Sequence, residues 1–369
     1  MKKELSSLEI AYLIKEFQSL ISSKINNSFH PEKEEIILDL FIPNKGKKIL
    51  RILPKFIYLT DEKRTQEKPS GFCAALRKYL HNARLRKITQ IDSERIIEFL
   101  FETKENKFFL IVELFGNGNA LLCRENYEII NLLDSHTWKD RTLKPKLKYK
   151  TPPKKVNFFN ITEKTLKQSL TDQPLVKNLA SKLGFGGVYA EEICLLSKID
   201  KNKTTLTKEE LTTLVKTIKT ITNKEIKPTI VQEDDTIIDL TPFKLEFYKE
   251  KTNKTGKTYN HILNSSLTIM LNSQIETEKT KEYQTKIKKI NNIIEKQKEK
   301  AKEIEDKIKA VEKKAETIYS NHTLIKEVIK EIKKAKDKYS WAEIKVKLKD
   351  HKVVKELDPK NKKLILELN

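Results

Sequence analysis

The feature that most constrains this chain is a spacing. Tyr283, Ile287, Ile290, Ile294, Gln297, Ala301, Ile304, Ile308, Val311, Ala315 and Ile318 step by alternating four and three residues. That alternation lays one apolar seam along a helix, and such a seam is covered only by a partner helix. After Ile275 the chain is Lys, Glu and Ile with almost no Pro or Gly, so nothing interrupts the helix before Asn321. At 1.5 Å per residue, Tyr283 to Ile318 spans roughly 50 Å. Residues 275–338 are therefore expected as a coiled-coil arm, with a second helix near 322–338. Residues 339–369 open a middle segment that closes on KKLILELN, a strand pattern.

A core must then lie in front of the arm. At 369 residues the chain suits two or three domains, and its 38% hydrophobic content is enough to bury them. Ser6 with Glu9 three residues on, ahead of Ile10, Leu13, Ile14 and Phe17, is a capping box that opens an amphipathic helix to about residue 22. Short runs rich in Ile and Phe follow at 35–41, 47–53, 95–102, 108–115 and 119–123, separated by polar turns, and predict strands. Between them, Phe72, Leu76, Leu80 and Ala83 recur at helical spacing over 71–85. Residues 1–155 are expected as one mixed α/β domain. It ends in KPKLKYKTPPKK (144–155), whose three prolines and six lysines exclude helix and predict an exposed basic loop.

From 160 to 225 the pattern becomes short helices, followed by a β-leaning stretch near 228–250 and a helix near 259–272. Residues 156–274 are expected as an essentially all-α domain, which makes the whole chain α+β. Within it LGFGGVYA (183–190) fits a helix–hairpin–helix pattern: Gly, apolar residue, Gly, three residues, then Ala. Gly184 and Gly186 allow the tight turn, the amides from Gly187 onward face outward toward a phosphate, and Ala190 lets the helices approach closely. The plainer alternative is a hairpin that only joins two helices.

Charge narrows the partner. Lys and Arg number 74 against 52 acidic residues, a net +22, which points to nucleic acid. All eight arginines fall between Arg51 and Arg141, and guanidinium offers a planar fork for phosphate that lysine lacks. Arg77 and Lys78 end a helical turn, and Arg84, Arg86 and Arg95 follow closely; if they converge they form a phosphate-binding patch, otherwise they are scattered surface cations. Lys146, Lys148 and Lys150 around Tyr149 suit an RNA-backbone clamp with a stacking ring, or a solvated linker.

Other chemistries find little support. Cys73, Cys123 and Cys194 are isolated, which argues against disulfides and zinc and fits a reducing compartment. The N-terminus is broken by charge and lacks a signal-peptide core, and no apolar run is long enough to span a membrane, so a cytoplasmic location is expected. TGKT (255–258) would need Gly at 251 to be a phosphate loop and has Lys251. Glu9 and Glu94 are single carboxylates without a catalytic partner, the six histidines have no metal spacing, and neither an enzyme activity nor a cofactor is expected.

SSLEIAYLIKEF, FCAALRKYL with RLRKITQ, SERIIEFLF, LIVELFGNGNALL, RTLKPKLKYKTPP, LGFGGVYAEEI and the heptads stand in an order that resembles the NFACT proteins of ribosome-associated quality control, RqcH-like in bacteria and NEMF-like in animals. The closing WAEIKVKLKDHKVVKELDPKNKKLILEL looks like the segment between that family's two coiled-coil helices in archaeal and eukaryotic members. The resemblance implies an NFACT-N domain, a helix–hairpin–helix domain and one arm of an antiparallel coiled coil, without the returning helix or the NFACT-R domain. Its partner helix would come from a missing segment, a second chain or a homodimer. The resemblance also implies a role: binding large ribosomal subunits that hold peptidyl-tRNA after stalling, and recruiting tRNA, chiefly alanyl-tRNA, for an untemplated tail made by the subunit's own peptidyl-transferase centre. An acidic residue and an Asp–Arg pair required for tailing in the family fall on Glu9 and on Glu94–Arg95, with Glu replacing the family's acids at both positions. A general tRNA- or rRNA-binding scaffold without tailing is the alternative. A base-excision glycosylase is disfavoured because Met1 is followed by Lys2 and Lys3 rather than by Pro and Glu. Some relatives carry a fibronectin-binding name, but an exported adhesin is disfavoured by the missing signal peptide.

Overall fold

The computed structural model describes every residue except Met1, Glu67, Lys154, Lys155, Asp235, Asp350, Lys360, Lys362 and Asn369, and describes 269–279 by backbone alone. The chain forms two compact units, Met1–Ser273 and Gln274–Asn369, and its fold is α+β.

The first unit is organised by a nine-stranded antiparallel sheet. Its strands are β1 (Lys24–Glu32), β2 (Glu35–Ile42), β3 (Gly46–Ile52), β4 (Ile57–Thr60), β5 (Arg84–Gln90), β6 (Ile96–Glu102), β7 (Lys107–Glu113), β8 (Asn119–Arg124) and β9 (Ile129–Leu132). The order is β4-β3-β2-β1-β5-β6-β7-β8-β9, with the two halves joined where Lys24 faces Arg84. Helices α1 (Ser7–Phe17) and α2 (Gly71–Leu80) pack on it through Ile10, Leu13, Phe17, Phe72, Leu76 and Leu80. A small ribbon, β10 (His136–Thr137) with β11 (Thr142–Leu143), follows the sheet.

Helices α3 (Glu163–Ser169), α4 (Leu175–Lys177, continued by a π turn over Asn178–Lys182), α5 (Gly187–Ser197) and α6 (Lys208–Thr222) enclose a second core. Leu8 and Tyr12 of α1 belong to that core while Ile10, Leu13 and Phe17 belong to the first. One short helix therefore supplies apolar surface to both, and its burial on two faces follows from its position. The region 156–274 is not all-α, because β12 (Thr229–Glu233), β13 (Thr236–Thr241) and β14 (Thr252–Thr255) form a three-stranded sheet where the sequence leans toward β.

Local signals set several boundaries differently from the sequence expectation. α1 ends at Phe17 and passes into a 3-10 turn, Gln18–Leu20. The helix expected over 71–85 stops at Leu80, because Asn82 takes a left-handed φ of +59° and turns the chain into β5. Arg84 and Arg86 therefore lie on a strand. The two helices expected near 259–272 and after 275 are one, α7 (Tyr259–Ser320).

The start of α7 is held in the first unit by polar contacts. Glu16 of α1 accepts hydrogen bonds from the Tyr259 and Asn260 amides, at 2.7 and 2.8 Å, in the manner of an N-cap supplied from another helix. The Asn260 side chain in turn pairs with Leu59 on strand β4, accepting from its N–H at 2.6 Å and donating to its carbonyl at 3.1 Å. This covers an edge that would otherwise be free.

In the second unit α7 is followed, after Asn321, by α8 (His322–Lys336) and α9 (Trp341–Lys347), then by a hairpin of β15 (Val354–Asp358) and β16 (Lys363–Leu366). Ser340 and Glu343 cap α9 reciprocally. The heptad positions from Tyr283 to Ile318 are exposed, apart from the half-buried Ala315. Among the described residues, no helix is long and apolar enough to cross a membrane.

Candidate functional site

The N-terminal segment, the first turn of α1, the start of β6 and the turn before α5 enclose a cleft of about 560 Å³. Its floor is built on a buried charge network. Glu9 is 1% exposed, and its Oε1 accepts from Lys2 Nζ at 2.5 Å and from the Tyr189 hydroxyl at 2.8 Å. Its Oε2 accepts from the Ser6 amide at 2.7 Å, completing the capping box. Lys2 also donates to Asp239 Oδ1 at 2.8 Å, and Tyr248 donates to Asp239 Oδ2 at 3.0 Å. Burial lifts the Glu9 carboxyl above the ordinary carboxylate range, with Lys2 pulling it back. Lys2 loses hydration too, yet Glu9 and Asp239 hold its ammonium above the usual lysine value. The network joins the chain start, α1, α5 and β13.

The rim is where ligand chemistry is available. α5 begins after Gly184 (φ +81°) and Gly186 (φ +82°), and Phe185 between them is fully buried. Positive φ at both positions explains why only glycine serves there. No side chain among the described residues caps α5, so its first amides lack a side-chain acceptor, and Gly187 and Val188 line the cleft at the positive end of the helix dipole. Arg95 and Lys3 border the same space, and Arg95 Nη1 is paired with Glu4 at 2.7 Å. Glu4 is exposed, so that pair is a weak one that an incoming anion can replace.

Five residues expected from sequence, Glu9, Arg95, Gly184, Gly186 and Gly187, thus line one cleft. Glu94 does not join them; its side chain is half-buried and its carbonyl accepts from Gln90 at 2.8 Å. Arg77, Lys78, Arg84 and Arg86 do not line this cleft. Arg86 pairs with Glu102 at 2.5 Å across β5 and β6, and Arg77 donates to the Ser28 carbonyl at 2.9 Å over the Phe29 ring. Arg84 is half-buried on β5 and Lys78 lies over Tyr79. The guanidinium groups of Arg51 and Arg141 are buried against Glu35 and Glu113, at 2.7 and 2.6 Å.

Lys146, Lys148 and Lys150 are exposed as expected, but Tyr149 is only 7% exposed and donates to Glu113 Oε1 at 2.9 Å, so its ring is not available for stacking. Lys154 and Lys155, the end of the expected basic loop, lie outside the described residues. Sequence reasoning missed Lys2, Lys3, Asp239 and Tyr248; no local pattern links Lys2 to a carboxylate so distant in the chain.

The family model for NFACT N-terminal and middle domains matches residues 6–363. The chain is 30% identical to the archaeal Rqc2 homolog aRqcH of Methanocaldococcus jannaschii, over 95% of this chain and 55% of that protein. It is 28% identical to the Rqc2 homolog RqcH of Streptococcus pneumoniae, over 49% of this chain and 36% of that one. The chain therefore spans about half the length, or less, of these curated relatives. Among solved structures, the fibrinogen binding protein from Staphylococcus aureus superposes with a TM-score of 0.59 at 22% identity, covering 70% of this chain and 97% of that one, a likeness of fold. With the family model spanning almost the entire sequence, this chain belongs to the NFACT family.

Proposed function

We propose that this chain, through its NFACT N-terminal and middle domains, acts in ribosome quality control, binding obstructed large ribosomal subunits carrying peptidyl-tRNA and recruiting tRNA for untemplated tailing. The relatives' names support the setting. The observation that carries the RNA contact is the convergence of Arg95, Lys3 and the uncapped amides of α5 on one cleft. Amides at a helix start and a guanidinium fork are donors shaped for a phosphate group. Glu9 then acts by position: both of its oxygens are engaged within the protein, so it shapes the cleft and does not touch RNA. In this reading the polypeptide makes no bonds itself, works in the cytoplasm, and the apolar seam of α7 takes a partner helix.

The test is a pair of binding measurements on the whole chain, one with tRNA and one with large subunits. Arg95→Ala is expected to weaken tRNA capture about tenfold, as for loss of a charge-assisted contact, with a smaller effect on subunit binding. Equal losses would overturn the assignment of tRNA to the cleft. Affinity for tRNA should fall steeply with salt, by about 0.9 in log K per log unit of salt for each phosphate contacted. A flat profile would exclude phosphate as the ligand.

A further inference from the structure

A second groove, of about 620 Å³, opens beside the turn between β8 and β9 and shares no lining residue with the cleft. Lys87, Thr89, Glu98, Tyr127, Lys148 and Lys150 border it. Tyr127 holds a φ of +65°, a left-handed conformation that an aromatic residue adopts only at a cost. Strain of that kind concentrates where a side chain must be aimed. The ring is fixed on two sides. It stacks on Phe109, with centroids 4.7 Å apart and 9° between planes, and its hydroxyl donates to Glu98 Oε2 at 2.9 Å.

The lysines are placed by backbone pairing. The Lys146 N–H donates to the Ile129 carbonyl and the Tyr149 N–H to the Tyr127 carbonyl, each at 2.8 Å, while Glu128 and Lys148 form a β-bridge. With Tyr149 turned inward, alternation turns Lys148 and Lys150 outward. Lys87, Lys148 and Lys150 are exposed, and none has a carboxylate partner among the described residues.

Three unpaired cations, an immobilised aromatic ring and one carboxylate around a recessed space fit one nucleotide of a flexible strand. The lysines meet phosphates, the ring receives a base, and Glu98, an acceptor while ionised, takes a hydrogen bond from an exocyclic amino group. We propose that this groove binds single-stranded RNA and reads a base bearing an exocyclic amino group. A duplex would not present its base edges to a recessed ring. Because no residue is shared with the Arg95 cleft, the inference does not rest on the function proposed above.

The experiment titrates the whole chain with fluorescein-labelled octamers of cytidylate and of uridylate and follows anisotropy. The cytidylate octamer is expected to bind about fivefold tighter, a single-base hydrogen-bond preference. Glu98→Gln should abolish most of that preference, and Tyr127→Leu should weaken both octamers about tenfold. Tyr127→Phe keeps the stacking ring and should retain most affinity. Lys148→Glu with Lys150→Glu, both at exposed positions, should lower the salt slope by about 1.4, two single-strand phosphate contacts, and carries the test if Tyr127→Leu does not fold. Arg95→Ala should leave the base preference in place, which separates this groove from the cleft. Equal binding of the two octamers by the wild type, or no change in the double lysine variant, would overturn the proposal. So would displacement of the octamer by cytidine monophosphate at equal concentration, which would assign the groove to a free nucleotide.

Discussion

The two units treat the same residue types in opposite ways. In Met1–Ser273 isoleucine and leucine fill two cores, and even charged groups such as Arg51, Glu9 and Glu113 are enclosed with partners. Along α7, Ile287, Ile290, Ile304 and Ile308 are 49–57% exposed, and the surrounding lysines and glutamates are solvated. Periodicity explains the contrast: the first unit has strands and short helices that cover one another, whereas a seam on one helix has nothing within that helix to cover it. Stability in the first unit is therefore intrinsic, while the apolar seam of α7 adds little to it as long as it stays exposed.

Substitutions can break that comparison. The largest expected effect is at Arg141, whose removal by Arg141→Ala leaves the Glu113 carboxylate buried with Tyr149 as a hydroxyl donor. Breaking such a pair costs about 3–5 kcal/mol, readable as a large fall in the denaturation midpoint of the first unit. A neutral result would mean that this charge is not structurally enclosed.

Glu16→Gln comes next, at about 1–2 kcal/mol, because an amide cannot accept from both N–H groups at the start of α7. Here pH sharpens the reading. Burial raises the Glu16 pKa while the Asn260 and Tyr259 amides oppose the shift. An acid whose folded value is raised contributes stability that is present at low pH and lost as pH climbs from about 4.3 through the folded value. The wild type's advantage over Glu16→Gln should therefore be larger below that window than at neutrality, and an advantage growing with pH would reverse the sign of the shift.

The smallest effect is expected at the seam. Ile304→Ala should change the stability of the isolated chain by less than about 0.5 kcal/mol, as at other exposed positions. A cost of several kcal/mol would show that the seam is already covered in solution.

What the sequence made legible was whatever depends on near neighbours. The Ser6–Glu9 capping box, the two glycine turns before α5 and the break at Asn321 all involve residues a few positions apart. Contacts between strands were hidden. Arg84 lies opposite Glu102, and Arg86 pairs with that same carboxylate, so a run of cations that looks like one patch is partly neutralised by the adjoining strand. The burial of Tyr149 did leave a trace: KLKYK alternates, and alternation beside a β-bridge puts the single aromatic on the face opposite its lysines. The cleft itself was half legible. Its glycines and Arg95 stand in readable motifs, whereas Lys2 and Asp239 lie far apart in the chain and meet only in the folded structure.

The clamp on Tyr259 and Asn260 has a mechanical corollary. Glu9 and Glu16 sit two turns apart on α1, one bracing the cleft floor and the other gripping the first amides of the longest helix. Because a single helix does both, the first turn of α7 cannot be displaced from the Glu16 carboxylate without loading the same element that carries the cleft floor.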